Sequence, residues 1–220
     1  MNKGVFISLE GGEGSGKSSQ ISLLRNWLDL IWPQPVIATR EPGGTIGAEE
    51  IRQLLVTGNR DRWDTVVEAL LMTASRRDNV VRLIKPARDR GEAIISDRFF
   101  DSTTVYQGIV GGVDADLIDT LNSRFLDDIK PDITLLLDID PAIGLARVQN
   151  REGDENRFES KGMAFHQQVR QGYLSLAQNN TQRFIIINAD QDENQVHKDI
   201  IAALTPRIRQ LVEHDFCTDG

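Results

Sequence analysis

The stretch that most constrains the fold is Gly11-Gly12-Glu13-Gly14-Ser15-Gly16-Lys17-Ser18, which has the spacing G-x-x-x-x-G-K-[ST]. It follows the apolar run Val5–Leu9 and leads into a helical stripe of Ile21, Leu24, Leu28 and Ile31, stopped by Trp32-Pro33. Strand, glycine turn and helix in that order form a phosphate cradle, because glycines let backbone N–H groups and a helix N-terminus close on a polyphosphate. Lys17 adds a point charge at the β- and γ-phosphates, and the Ser18 hydroxyl is placed to ligate Mg²⁺. The nucleotide-binding set is Gly11, Gly12, Glu13, Gly14, Ser15, Gly16, Lys17, Ser18 and Ser19. A dinucleotide fingerprint fails, since Lys17 stands where G-x-G-x-x-G needs its last glycine.

Four more short apolar runs, Val36–Thr39, Ala93–Ser96, Ile133–Leu137 and Phe184–Ile187, alternate with helical patterns. Without strict alternation they read as strands buried on both faces. Val66, Leu70, Val80 and Ile84 suggest a long central helix reaching Lys85-Pro86. Further helices carry Leu117, Leu121 and Phe125, then Phe165, Val169, Tyr173 and Leu176, then Val196, Ile200 and Leu204 before Pro206 bends or ends the last. The expected fold is α/β: three layers around a five-stranded parallel sheet, ordered 2-3-1-4-5, in a single domain over 1–220. With 40% hydrophobic residues, 220 residues bury a sufficient core without disulfide or metal. A net charge of −8 argues against a nucleic-acid polymer or an anionic membrane as partner. The lone Cys217 excludes an intrachain disulfide, and Met1-Asn2-Lys3-Gly4 before the first strand does not resemble a signal peptide, so the expected location is cytoplasmic.

A phosphate cradle alone does not separate signalling, motor and transfer proteins. The guanine motif N-K-x-D and the switch motif D-x-x-G are both absent, and the chain is short for a motor. A kinase of a small acceptor is the leading class. Ala93–Ser96 runs into Asp97-Arg98 at the strand's carboxyl end, where Asp97 suits a water on Mg²⁺ and Arg98 an acceptor phosphate. Asp138, ending another strand, competes for the metal role. Arg40 precedes the turn Glu41-Pro42-Gly43-Gly44, which can aim it at an anion.

Glu10–Ser18, Arg40–Gly44, Asp97-Arg98-Phe99 with Ser102-Thr103, and Tyr106-Gln107-Gly108, in this order, resemble the thymidylate kinase family. The resemblance implies transfer of the ATP γ-phosphoryl group to dTMP, with Mg²⁺, by a homodimer. It implies that Arg40 and Arg98 clamp the acceptor phosphate, Glu13 approaches the sugar 3′-hydroxyl and Tyr106 crowds the 2′ position. Thr103 and Arg76 face the base, and Asp97, Ser102 and Gln107 complete the substrate set. Met72 stands where the family commonly has a phenylalanine over thymine; a core position is its plain alternative. Another nucleoside monophosphate kinase, or a regulatory module that binds nucleotide without transfer, are the competing functions.

The charged stretch from Asn150 to Lys161 reads as a mobile loop, within a lid at about 145–161 that carries Arg147, Arg151 and Arg157. The resemblance to the bacterial type favours Arg151 as the catalytic arginine beside Lys17 and Arg98, with the other two in reserve. No general base is needed, since the acceptor phosphate is already ionised. His166, His197 and His214 read as surface or satisfied residues, and Asn188-Ala189-Asp190 as backbone packing on adenine.

Overall fold

The computed structural model describes residues 3–58, 62–148 and 161–216. In chain order the elements are β1 (Phe6–Glu10), α1 (Lys17–Ile31), β2 (Val36–Arg40), α2 (Ile46–Val56) and α3 (Thr65–Asn79). A π-helical turn, Val80–Ile84, leads into α4 (Lys85–Asp89), followed by β3 (Ala93–Asp97) and α5 (Phe100–Thr103). A second π-helical stretch, Thr104–Val110, precedes α6 (Ala115–Phe125), β4 (Ile133–Asp138), α7 (Pro141–Val148), α8 (Met163–Asn179), β5 (Phe184–Asn188) and α9 (Glu193–Phe216).

The strands form the expected parallel sheet in the order β2-β3-β1-β4-β5. On one face Val5, Ile7, Leu9, Ile95 and Leu135 meet Leu24 and Leu28 of α1 and Ile200 and Leu204 of α9. On the other, Phe6 and Ile94 meet Val80, Ile84 and Ala87, while Leu136 meets Val169 and Tyr173 of α8. Side-chain alternation along β1 therefore sends Glu10, like Phe6, to the second face.

Every strand runs one polar residue past its apolar run, to Glu10, Arg40, Asp97, Asp138 and Asn188. The apolar pattern reports burial, whereas the ladder follows backbone pairing; Leu9 and Arg40 both stand opposite Asp97. The charged ends thus collect at the carboxyl edge, where open α/β sheets bind ligands. Burial on both faces holds only for the central strands. β2 and β5 are edges, and Ile186 is largely exposed.

Three further expectations need correction. Val66 and Leu70, read as the core stripe of the central helix, are 43% and 47% exposed, and α3 instead buries Ala69, Thr73, Ser75, Arg76 and Asn79. A polar site, not an apolar core, lies on its inner side. The helix also passes Pro86, because the ladder changes from five-residue to four-residue steps there and the missing N–H is accommodated at the junction. Pro206 likewise does not end α9; Leu204 and Ile208, on either side of it, are both packed in the core.

Gly14 and Gly144 explain how α7 fits against the phosphate loop. A Cβ on Gly14, at φ +69°, would stand 1.9 Å from the Gly144 carbonyl oxygen, and one on Gly144 would stand 2.3 Å from that of Glu13. Both obstacles are backbone, so neither can turn aside. Gly144→Ala is expected to push the loop off its position, lower stability by about 1–3 kcal/mol and weaken binding of the expected nucleoside triphosphate more than that of the expected acceptor. Thermal melts and titration calorimetry with each nucleotide check this.

Candidate active site

β1 ends at the glycine loop, and Gly16, at φ +87°, turns it into α1. Lys17 is buried and donates to the carbonyls of Gly11 at 3.1 Å and Gly12 at 3.0 Å and to Ser15 Oγ at 3.3 Å. Burial, and then Arg98 nearby, lower its pKa against the pull of Asp97 and Glu13. A cavity of about 320 Å³ is lined by Glu13–Ser19, Arg40, Asp97 and Arg98 together with Arg52 and Val148. The loop and both expected phosphate arginines therefore share one space.

Arg98 follows β3 in a left-handed conformation, φ +68°, which costs a non-glycine residue about 1–3 kcal/mol and persists only where neighbours over-determine it. Its amide donates to the Leu9 carbonyl, and its own carbonyl accepts from Ser96 Oγ. The guanidinium donates to Gly11 O, Ser102 Oγ, Tyr173 Oη and Glu13 Oε1, at 3.0–3.1 Å. Tyr106 Oη also donates to Glu13 at 3.1 Å. Burial works to raise the Glu13 carboxyl, but Arg98, Lys17 and Tyr106 together hold it below the usual range.

Arg40 has a different setting: exposed, and forked onto Glu49 of α2 at 2.9 and 3.1 Å. Asp97 Oδ2 accepts from Ser18 Oγ at 3.5 Å, and Asp97 Oδ1 is buried with no hydrogen-bond partner among the described residues. A hard cation takes oxygen donors of this kind, so Ser18 and Asp97 fit Mg²⁺. The rival carboxylate is committed elsewhere, because Arg170 forks onto Asp138 at 2.7 and 2.8 Å.

A second cavity, of about 160 Å³, opens beside Arg98. Met72, Pro42, Leu55, Val56 and Phe99 supply its apolar lining, and Arg76, Ser102, Thr103, Tyr106 and Gln107 its polar one. Met72 is only half-buried and lines this space, so it is not plain core filling. Arg76 is nearly inaccessible and donates to Glu41 Oε2 at 2.6 Å and Thr103 Oγ1 at 2.9 Å, while its Nη1 is buried with no partner among the described residues. Burial pushes Glu41 up to about 7 even though Arg76 pulls it down. Gln107 Nε2 donates to Glu68 Oε2 at 3.3 Å, which leaves its carbonyl oxygen as an acceptor.

Sequence reasoning missed Glu41, Arg52 and the α2 wall of Leu55 and Val56. The signal was present: Thr45 caps α2 by accepting from Ala48 N, ahead of Glu49-Glu50 and the Ile51, Leu54, Leu55 spacing. Arg147, a reserve finger, instead donates to Ala189 O at 3.0 Å and Gln191 O at 3.4 Å. With them it lines a third cavity beside Gly14–Gly16, away from the acceptor side. Arg151 and Arg157 lie outside the described residues, as does most of the expected lid. His166 is buried, not at the surface, and its Nε2 has no partner among the described residues; His197 is half-buried, with no partner among them for Nδ1; the His214 side chain is not described.

A glycine-loop cavity that shares an arginine with a half-apolar pocket is found in known proteins. The thymidylate kinase family profile matches residues 9–200. The chain belongs to the thymidylate kinase family. A thymidylate kinase of Caulobacter vibrioides is 47% identical over 94% of this chain and 99% of its own length. One from a Jannaschia species is 43% identical over 94% and 98%. The crystal structure of the thymidylate kinase of Ehrlichia chaffeensis superposes with a TM-score of 0.76 at 35% identity, covering 92% of this chain and 99% of that one. Among the described residues no helix is long and apolar enough to cross a membrane.

Proposed function

We propose that the chain transfers the γ-phosphoryl group of ATP to dTMP, giving ADP and dTDP. The observation that carries this reading is Arg98, whose guanidinium lines both the phosphate cavity and the pocket beside it. An acceptor phosphate held there faces a γ-phosphate held by the glycine loop and Lys17, and positioning two phosphates in line is most of what this reaction requires. The oxygen that attacks is already ionised, so no side chain has to remove a proton. Ser18 and Asp97 would hold Mg²⁺, which supplies positive charge to the phosphate oxygens when bound.

In the pocket, Arg76 Nη1 is free to donate to a base carbonyl, and Thr103 and Gln107 flank the same edge. Met72 and Phe99 cover the ring, Glu13 meets the sugar hydroxyl and Tyr106 leaves little room at the 2′ position. Ser102 and Arg40 support the phosphate, and Arg151 from the lid supplies the last positive charge. ATP extends over Ser19 with its adenine in the cavity beside Ala189 and Arg147. Incubation with ATP, Mg²⁺ and a panel of nucleoside monophosphates tests this: preferential formation of dTDP is expected. Broad acceptance would point to another monophosphate kinase, and ATP binding without diphosphate formation to a regulatory module.

The functional unit is a homodimer paired across α3. Val66, Leu70 and Ala74, one turn apart on its outer face, with Val81 further along, form an exposed stripe suited to a facing helix. Leu70→Glu is expected to shift sedimentation from dimer to monomer. A monomeric wild-type chain would refute the assignment.

A further inference from the structure

We propose that Glu10 is the positioning residue for Arg98, holding both its backbone and its guanidinium where the acceptor phosphate arrives. Glu10 is the last residue of β1, and strand alternation aims it away from α1, into the space between α5 and α8. It is fully buried, and both carboxylate oxygens are engaged. Oε1 accepts the Phe99 amide at 2.7 Å, one residue after the left-handed Arg98. Oε2 accepts the Ser102 hydroxyl at 2.7 Å and the Tyr173 hydroxyl at 2.9 Å.

Those two hydroxyl oxygens lie 2.8 Å apart, each spending its one proton on Oε2, and both accept from the same guanidinium nitrogen, Nη1 of Arg98. One carboxylate thus pins the peptide that follows the strained residue and orients the two groups that hold its side chain. A residue with φ +68° stays there only if its surroundings leave no relaxed alternative. Glu10 supplies that constraint without lining any of the three cavities described above, so it acts on the phosphate only through the groups it holds, Arg98 and its partner Ser102. The inference rests on the reading that Arg98 grips the acceptor phosphate.

Glu10→Gln tests it in the full chain. An amide has one acceptor oxygen, so it cannot serve both the Phe99 N–H and the hydroxyl pair. The KM for dTMP is expected to rise about tenfold, with kcat within about threefold and the KM for ATP within about twofold. A purely structural carboxylate would instead lower kcat through loss of active enzyme with dTMP KM unchanged, and that result overturns the proposal. In an Arg98→Ala background Glu10→Gln should raise dTMP KM clearly less than it does in the wild type, whereas an undiminished second increase refutes the coupling. If Arg98→Ala itself leaves dTMP KM unchanged, the phosphate role of Arg98 falls and the inference with it; if Arg98→Ala raises it and Glu10→Gln does not, only the inference falls. Should Glu10→Gln not fold, Tyr173→Phe decides, with a rise of about threefold expected and no rise overturning it.

Discussion

Replacing Lys17 with alanine is expected to lower turnover of dTMP by at least about 10³-fold while the chain stays folded. The reason is where its charge sits. The ammonium is buried under the loop, coordinated by Gly11 O, Gly12 O and Ser15 Oγ, in the cavity that also holds Asp97 and Arg98. These acceptors are weak partners for a full positive charge, and a γ-phosphate entering the loop offers a far stronger one. The charge that develops on the migrating group then meets a donor already in place in a largely dry site, where electrostatic stabilisation is greatest. Alanine leaves the Gly11 and Gly12 carbonyls and Ser15 Oγ without this donor, so stability should fall by about 1–3 kcal/mol. Rates of ADP formation with saturating nucleotides, compared with thermal melts, separate the effects. Retention of a tenth of wild-type turnover would mean that Lys17 does not reach the transferred phosphate.

Arg76→Ala should be the most destabilising single change in the acceptor pocket, by about 3–5 kcal/mol near pH 8, or about 10 °C in melting temperature for a chain this long. The variant leaves Glu41 buried with its ion-pair partner gone, and Thr103 loses the donor that orients its hydroxyl. The pH dependence identifies the cause. Burial has already raised Glu41 to about 7, well above its unfolded value near 4.5, so between those values the folded state keeps a proton that the unfolded state has released. Its contribution to stability is therefore greatest below about pH 4.5 and declines as pH rises towards 7.

Without Arg76 the Glu41 carboxyl loses the cation that pulls it down and moves further up. The decline then extends to higher pH, and the gap between variant and wild type should widen from pH 5.5 to 8. Melts across that range provide the check, and a gap independent of pH would show that packing, not charge, dominates. The same variant should lose most of its preference for dTMP, because the spare Nη1 donor is removed with the side chain.

Much of this arrangement could be read along the chain. The parallel sheet follows from alternating runs, its ligand edge from the rule that ligands gather at carboxyl ends, and the phosphate loop from eight consecutive residues. Asp97 ends β3, Arg98 follows it and Lys17 follows the glycine loop after β1, so local sequence places them at the edge. The stripes of α1, α8 and α9 face the core as read, but that of α3 does not. The outward stripe of α3 was mistaken for core because its inner face carries Ser75, Arg76 and Asn79, and periodicity measures apolarity, not direction. Arg76 and Arg77 are neighbours with opposite fates: one is buried against Glu41, the other half-exposed beside Asp127.

Local sequence determined the cradle, the parallel sheet and the residue types at its edge, because these depend on turns, spacing and strand period over short lengths of chain. Tertiary structure alone decided which charges are partnered. Asp138 is taken by Arg170 while Asp97 keeps an oxygen with no partner among the described residues, and Glu10 is brought to Tyr173 across 163 positions of sequence. Such pairings depend on how helices from distant parts of the chain pack over the sheet, and burial then makes each pairing count, since an enclosed charge has little else to bond with.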